Sequence, residues 1–124
     1  MSYKRGDVVI LPFPFVTTSG TEQKARPALI ISDHSIRRRF DDLILVGITS
    51  QRIDDIMETE FLIDEQSAYF KKSGLKKSSV VRGEYLMTIP KSLVSRKLGE
   101  LQGDVMKLID ERIMKSLGLK IEQP

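Results

Sequence analysis

Leu43-Ile44-Leu45-Val46-Gly47-Ile48-Thr49-Ser50-Gln51 is the stretch that decides the architecture. Its first part is a near-continuous apolar run, too short for a typical helix and rich in β-branched residues, so it reads as a strand at the centre of a sheet. It then turns abruptly polar at Thr49-Ser50. The same switch occurs in Arg26-Pro27-Ala28-Leu29-Ile30-Ile31-Ser32-Asp33, which opens on a guanidinium, and in Ser79-Val80-Val81-Arg82-Gly83-Glu84-Tyr85-Leu86. A buried sheet tolerates polar groups only where they find partners or ligands. Three such interruptions brought to one cleft would suit a phosphodiester.

Outward from these runs the chain supplies further short strands. Val8 to Leu11, with Phe13 and Phe15, predicts a first strand that bends or lies at an edge, because Pro12 and Pro14 lack the donors of an interior strand. Thr17 to Thr21 has loop composition and leads through Glu22, Gln23 and Lys24 into the strand that starts at Arg26. Asp33 is placed as an N-cap for one or two helical turns over 34–40. Thr59 to Ile63 predicts a fourth strand, Ser67 to Gly74 a loop or short turn, Ser79 to Ile89 a fifth strand stopped by Pro90, and Leu93 to Leu98 a sixth. From Gly103 to Leu117 the period changes: Val105, Met106, Ile109, Ile113 and Leu117 recur at helical spacing, and Gly118 fits a left-handed C-terminal cap. The pattern predicts a mainly β fold with α, a small, strongly bent antiparallel sheet or half-open barrel with a C-terminal helix that needs a sheet or partner to cover its stripe.

At 124 residues and 40% hydrophobic content, one domain spanning 1–124 is the expected organisation. The balance of 20 Lys and Arg against 17 Asp and Glu gives +3, which permits nucleic-acid binding without requiring it. Basic residues bunch at Arg37-Arg38-Arg39 and at Lys71-Lys72 with Lys76-Lys77, and acids from Asp54 to Glu65, runs that ordinarily form solvated faces. The absence of cysteine removes disulfide and thiolate chemistry. The start lacks an apolar signal core and no run approaches a membrane span, so a soluble cytoplasmic protein without membrane association is expected.

A single His excludes a two-histidine nuclease and a His-rich metal centre. Asp54-Asp55 with Glu58 is a poor cation site, since hard cations draw carboxylates from separated elements. No metal and no cofactor are therefore expected, which leaves electrostatic catalysis by organic groups. To cut RNA this way, the 2′-hydroxyl must lose its proton while attacking its own phosphate, charge on the phosphorane must be stabilised, and the 5′-oxygen must leave. Glu84 is the candidate proton acceptor, Arg82 and Arg26 are candidate bidentate phosphate clamps, and Thr49 and Ser50 are neutral donors. In a regular strand Arg82 and Glu84 share a face. The plainer reading makes them a surface ion pair and makes Arg26 a strand-start anchor.

The order Lys4-Arg5-Gly6-Asp7-Val8, Gly20-Thr21-Glu22-Gln23, Arg26-Pro27-Ala28, Ile48-Thr49-Ser50-Gln51, Val80-Val81-Arg82-Gly83-Glu84 and Met87-Thr88-Ile89 resembles the PemK/MazF (Kid) family of toxins from bacterial toxin–antitoxin modules. The resemblance runs from about Lys4 to Leu119. It implies a homodimer of SH3-like or CcdB-like barrels that cuts single-stranded RNA, often mRNA, without a metal, leaving a 2′,3′-cyclic phosphate and a 5′-hydroxyl. It implies a cognate antitoxin laid across the active groove. It implies catalytic roles for Arg82, Glu84, Arg26 and Thr49, and RNA contacts from Ser50, Glu22, Gln23, Lys24 and Gln51. The chain departs from the family pattern at Lys24-Ala25, where a Gly is usual, and at Glu84, where Asp is usual; base preference does not transfer across the altered loop. A homodimer is also expected from the apolar surface of Phe13, Phe15 and the helical stripe. Two other readings remain: a CcdB-like gyrase inhibitor, although the C-terminal Trp-Gly-Ile of those proteins is missing here, and an inactive member that binds RNA or antitoxin.

Overall fold

Six antiparallel strands curl into a half-barrel in a computed structural model that describes residues 2–120, apart from the side chains of 14–17 and 21–23. The elements are β1 (Asp7–Thr17), β2 (Gly20–Ile30), β3 (Asp42–Thr49), β4 (Glu60–Ile63), α1 (Phe70–Ser73), β5 (Ser79–Pro90), β6 (Arg96–Glu100) and α2 (Asp104–Ser116), with a 3-10 turn at Lys91–Leu93 before β6. Their order across the sheet is β4-β5-β3-β2-β1-β6. The apolar run from Leu43 to Ile48 forms β3, held between β2 and β5 as its two-sided burial requires.

Period-two alternation sends neighbouring residues to two cores. Val8, Leu29, Val46, Ile48 and Val81 pack with Met106, Ile109 and Ile113 of α2, whereas Val9, Leu11, Phe13, Ile30, Leu43 and Leu45 pack on the opposite face. Thus α2 lays its apolar stripe on its own sheet, and Phe13 is buried within the chain. The apolar surface from which a homodimer was expected is already covered at these positions. Phe15 lies outside the described side chains.

Elsewhere the local chemistry gives a different outcome from the simplest reading. β2 begins at Gly20 rather than Arg26, because a tight turn at Thr18-Ser19 lets β1 and β2 pair along a long hairpin, with Phe15 opposite Glu22 and Leu11 opposite Arg26. β1 is interior only where β6 pairs with Asp7 to Ile10; Pro12 and Pro14 fall beyond that pairing, where one missing donor is tolerated. The segment after Asp33 is not helical. The Asp33 carboxylate instead accepts from the Ser35 N–H at 2.9 Å and the Ser35 hydroxyl at 2.6 Å, closing an Asx turn. These bonds hold the Asp33 carboxyl below the usual carboxylate range.

The Arg5-Gly6-Asp7 start is architectural. Arg5 donates to the Ile31 carbonyl at 2.7 Å and pairs with Asp110, tying the N-terminus to α2. Asp7 is buried, accepts the Lys4 N–H at 3.0 Å and lies 3.2 Å from the Lys97 ammonium.

Candidate active site

The middle of β2, the end of β3, the start of β6 and the loop before β5 line a groove of about 350 Å³ on the sheet. β2 contributes Ala25, Arg26 and Pro27; the end of β3 contributes Ile48 and Thr49, followed by Ser50; 74–77 and Ser79 close one side, and Arg96 with Leu98 of β6 the other. Antiparallel pairing explains the meeting of residues distant in sequence, since Ala28 stands opposite Gly47 and Thr49 lies two residues further along. Arg26, Thr49 and Ser50 are all half-buried here. Ile10, Ile48, Leu75 and Leu98 give the groove apolar walls, and Lys76, Lys77 and Arg96 are exposed at its rim. Among the described residues, no carboxylate lines it.

The loop carrying the two lysines is fixed rather than merely solvated. α1 ends at Gly74, whose φ of +74° is the left-handed conformation that closes a helix. A Cβ at that position would stand 2.1 Å from the Leu98 carbonyl oxygen, so only glycine lets the loop press onto β6. Further along, the Ser79 hydroxyl donates to the Lys77 carbonyl at 2.9 Å.

Arg82 and Glu84 occupy a neighbouring but different place. Gly47 pairs with Arg82 and Val46 pairs with Leu86, so Gly83, Glu84 and Tyr85 bulge from the ladder between β3 and β5. The two-residue repeat that would put Arg82 and Glu84 on one face does not run through this bulge. Gly83 pins it: its N–H donates to the Thr59 carbonyl at 2.9 Å, its carbonyl accepts the Ser116 hydroxyl at 2.8 Å, and a Cβ would stand 2.4 Å from the Thr59 oxygen. Glu84 is exposed.

The Arg82 ion pair is with Glu60, not Glu84: Nε lies 3.3 Å from Glu60 Oε2, brought there by the pairing of residues 60 and 82 between β4 and β5. Its side chain keeps 21% of its accessible area and that of Glu60 11%, so both charges are largely withdrawn from water. One terminal nitrogen donates to the Tyr85 hydroxyl and the other to the Gln51 carbonyl, both at 3.3 Å, and the guanidinium lies 5.5 Å from the Tyr85 ring centre. The second oxygen of Glu60 accepts the Met57 N–H at 3.0 Å. Arg82 thus packs beside the segment that carries Thr49 and Ser50 without lining the groove.

Of the other sequence candidates, Gln51 is exposed and donates its N–H to the Thr49 hydroxyl at 3.2 Å, and Lys24 is exposed on β2. The side chains of Glu22 and Gln23 lie outside the described residues. Sequence spacing missed Glu60 as the partner of Arg82 and Arg96 as a rim residue; cross-strand pairing reveals both. Lys76 and Lys77 were visible as a basic run, but not as part of a cleft. Among the described residues, no three His, Asp or Glu side chains are grouped to hold a metal ion, and no helix is long and apolar enough to cross a membrane.

Residues 4–117 match the family described as PemK-like, MazF-like toxin of type II toxin–antitoxin system. The chain is 32% identical over 120 residues to endoribonuclease EndoA of Bacillus subtilis (strain 168), covering 96% of this chain and 97% of that protein. Its fold matches an endoribonuclease in complex with its cognate antitoxin from a mycobacterial species, with a TM-score of 0.72 at 21% identity over 98% of this chain and all of the other. It also matches the Mycobacterium tuberculosis toxin MazF-mt6, with a TM-score of 0.67 at 24% identity over 91% of this chain and 99% of that one. The chain therefore belongs to the PemK-like, MazF-like toxin family.

Proposed function

We propose that this protein is the RNA-cutting toxin of a toxin–antitoxin pair and that the phosphate to be cut sits in the groove at Arg26, Thr49 and Ser50. The observation that carries the proposal is the convergence of these three residues, each singled out by its interruption of an apolar run, in one cationic cleft of a chain from this family. A sequence relative is an endoribonuclease, and a protein of the same fold is an endoribonuclease in complex with its cognate antitoxin, which supports RNA as substrate and an antitoxin as partner.

In this reading single-stranded RNA is cut by its own 2′-hydroxyl. The bond from the 2′-oxygen to phosphorus forms as the bond to the 5′-oxygen breaks. One proton leaves the first oxygen and one arrives at the second, giving a 2′,3′-cyclic phosphate and a 5′-hydroxyl with no water consumed. Arg26, always charged and able to hold two phosphate oxygens, stabilises the phosphorane, and the Thr49 and Ser50 hydroxyls donate to it. Arg82 acts through its hold on the Gln51 carbonyl, positioning the Thr49-Ser50 segment. Since no described carboxylate lines the groove, proton acceptance is assigned to Glu84 on the adjoining bulge.

The test is cleavage of single-stranded RNA by the purified protein in excess EDTA, with the product ends identified. Cyclic phosphate and 5′-hydroxyl ends are expected. Cleavage that returns only on adding Mg²⁺ or Mn²⁺ would overturn the mechanism. A homodimer belongs to the same reading, and light scattering of that preparation at micromolar concentration checks it, a monomer being the contrary result.

A further inference from the structure

The connection from β3 to β4 leaves the groove at Thr49 and Ser50 and rejoins the sheet at Glu60, and one ion pair holds it at both ends. At its start the Arg82 guanidinium donates to the Gln51 carbonyl at 3.3 Å. At its close the Glu60 carboxylate accepts the Met57 N–H at 3.0 Å with one oxygen and meets Arg82 Nε at 3.3 Å with the other. Between these ties Arg52 has a φ of +56°, the one non-glycine residue with a positive φ among the described residues. A side chain in that conformation crowds its own backbone, so the turn keeps its shape only where its surroundings fix it. Apart from Ile53 and Thr59, residues 51–59 are exposed, so burial does little to hold them.

We propose that Glu60 is a positioning residue for the cleavage: by fixing Arg82 on the Gln51 carbonyl it sets the backbone of Gln51 and, through it, the hydroxyl of Thr49. The Gln51 N–H donates to the Thr49 hydroxyl oxygen at 3.2 Å. A hydroxyl that accepts in this way keeps its own proton to give elsewhere, and the proposed reaction places that proton on the phosphorane. The role therefore rests on the proposed RNA cleavage and adds to it a carboxylate that touches no substrate. A guanidinium is a planar fork, so a carboxylate beside Nε also decides where the two terminal nitrogens aim. Here one reaches the Gln51 carbonyl and the other the Tyr85 hydroxyl. Glu60 is placed for this by register, since residues 60 and 82 stand opposite each other between β4 and β5. The plainer role, an ion pair that only joins two elements, is filled by Arg5 and Asp110, which lie outside the groove lining.

A positioning carboxylate and a merely structural one leave different kinetic signatures. Single-turnover cleavage at saturating RNA is compared for wild type, Glu60→Ala, Arg82→Ala and the double variant, at a temperature below every melt. Affinity is read separately with RNA made uncleavable by a 2′-deoxy sugar at the cut position. Glu60→Ala is expected to slow cleavage about tenfold with RNA affinity near wild type, as misplacement of a reacting group does. Because Glu60 acts through Arg82, the double variant is expected to be no slower than Arg82→Ala alone. Glu60→Gln, equal in length but with one acceptor oxygen in place of two, should fall between wild type and Glu60→Ala. Asp110→Asn, the control, should lower the melting temperature and leave the rate unchanged. A wild-type rate for both Glu60 variants, a faster rate for either, or losses that multiply in the double variant would overturn the inference and leave the proposed function standing. Should Glu60→Ala not fold, Glu60→Gln carries the test, a wild-type rate then overturning the inference. If wild type itself cuts no RNA, the proposed function fails and this role fails with it.

Discussion

The Arg26 groove and the Arg82 bulge lie close together on the same sheet, and each presents an arginine beside hydroxyl groups, yet their arginines are in different states. Arg26 lines an open cavity, with Lys76, Lys77 and Arg96 among the other residues around it. Arg82 is covered by a carboxylate, a phenol and a backbone carbonyl. A guanidinium on a cavity wall is reached by a phosphate that enters the cavity; one packed against Glu60 must first leave a carboxylate withdrawn from water. Residue type and strand spacing nominate a catalytic arginine, whereas its placement on or off the cavity decides what it can reach.

The largest effect that would break or sharpen this contrast comes from Arg26→Ala. Loss of a charge contact made chiefly in the transition state is expected to lower kcat/KM by about two to three powers of ten, with the melting temperature little changed. Arg26→Lys should recover only part of the rate, since an ammonium cannot reproduce the planar fork. Single-turnover cleavage reads the first effect and a thermal melt the second.

Arg82→Ala should show the opposite balance. It removes the partner of a Glu60 side chain that has little contact with water, which costs about 1–3 kcal/mol and lowers the melting temperature by several degrees. Its rate should fall less than that of Arg26→Ala, through misplacement of the Thr49-Ser50 segment. A two- to three-decade loss of rate with an unchanged melt would transfer the catalytic role to Arg82 and erase the contrast.

Glu84→Gln is expected to have the smallest effect on stability, because Glu84 is exposed. If Glu84 accepts the 2′-hydroxyl proton, the variant slows cleavage and flattens its rise with pH. A pH profile parallel to wild type would remove Glu84 from the mechanism.

Much of the fold was legible because burial writes itself into periodicity. β3 reads as a central strand from its apolar run alone, and the 3.6-residue repeat of Met106, Ile109 and Ile113 locates α2 and its buried face. The features that escaped depend on long-range pairing or on turn chemistry. Thr17 to Thr21 has loop composition and Glu22 to Lys24 reads as a lead-in, and only pairing with β1 makes the chain a strand from Gly20 onward. Asp33 has cap chemistry that serves an Asx turn as well as a helix. The site divides in the same way. Arg26, Thr49 and Ser50 announce themselves as polar breaks in apolar strands, and β2–β3 pairing brings them together. The separation of Glu84 from the regular face of Arg82 was not legible, since a bulge of 83–85 has no local signal beyond Gly83, whose close contacts come from Thr59, just ahead of β4, and from α2.

Nuclear magnetic resonance of the arginine Nε–H groups during titration with uncleavable RNA distinguishes the groove from the bulge as the seat of the phosphate. The Arg26 signal is expected to shift and saturate with the binding curve, while the Arg82 signal stays where its contacts with Glu60 and Gln51 place it. A saturating shift at Arg82 with Arg26 unmoved would contradict the groove as that seat.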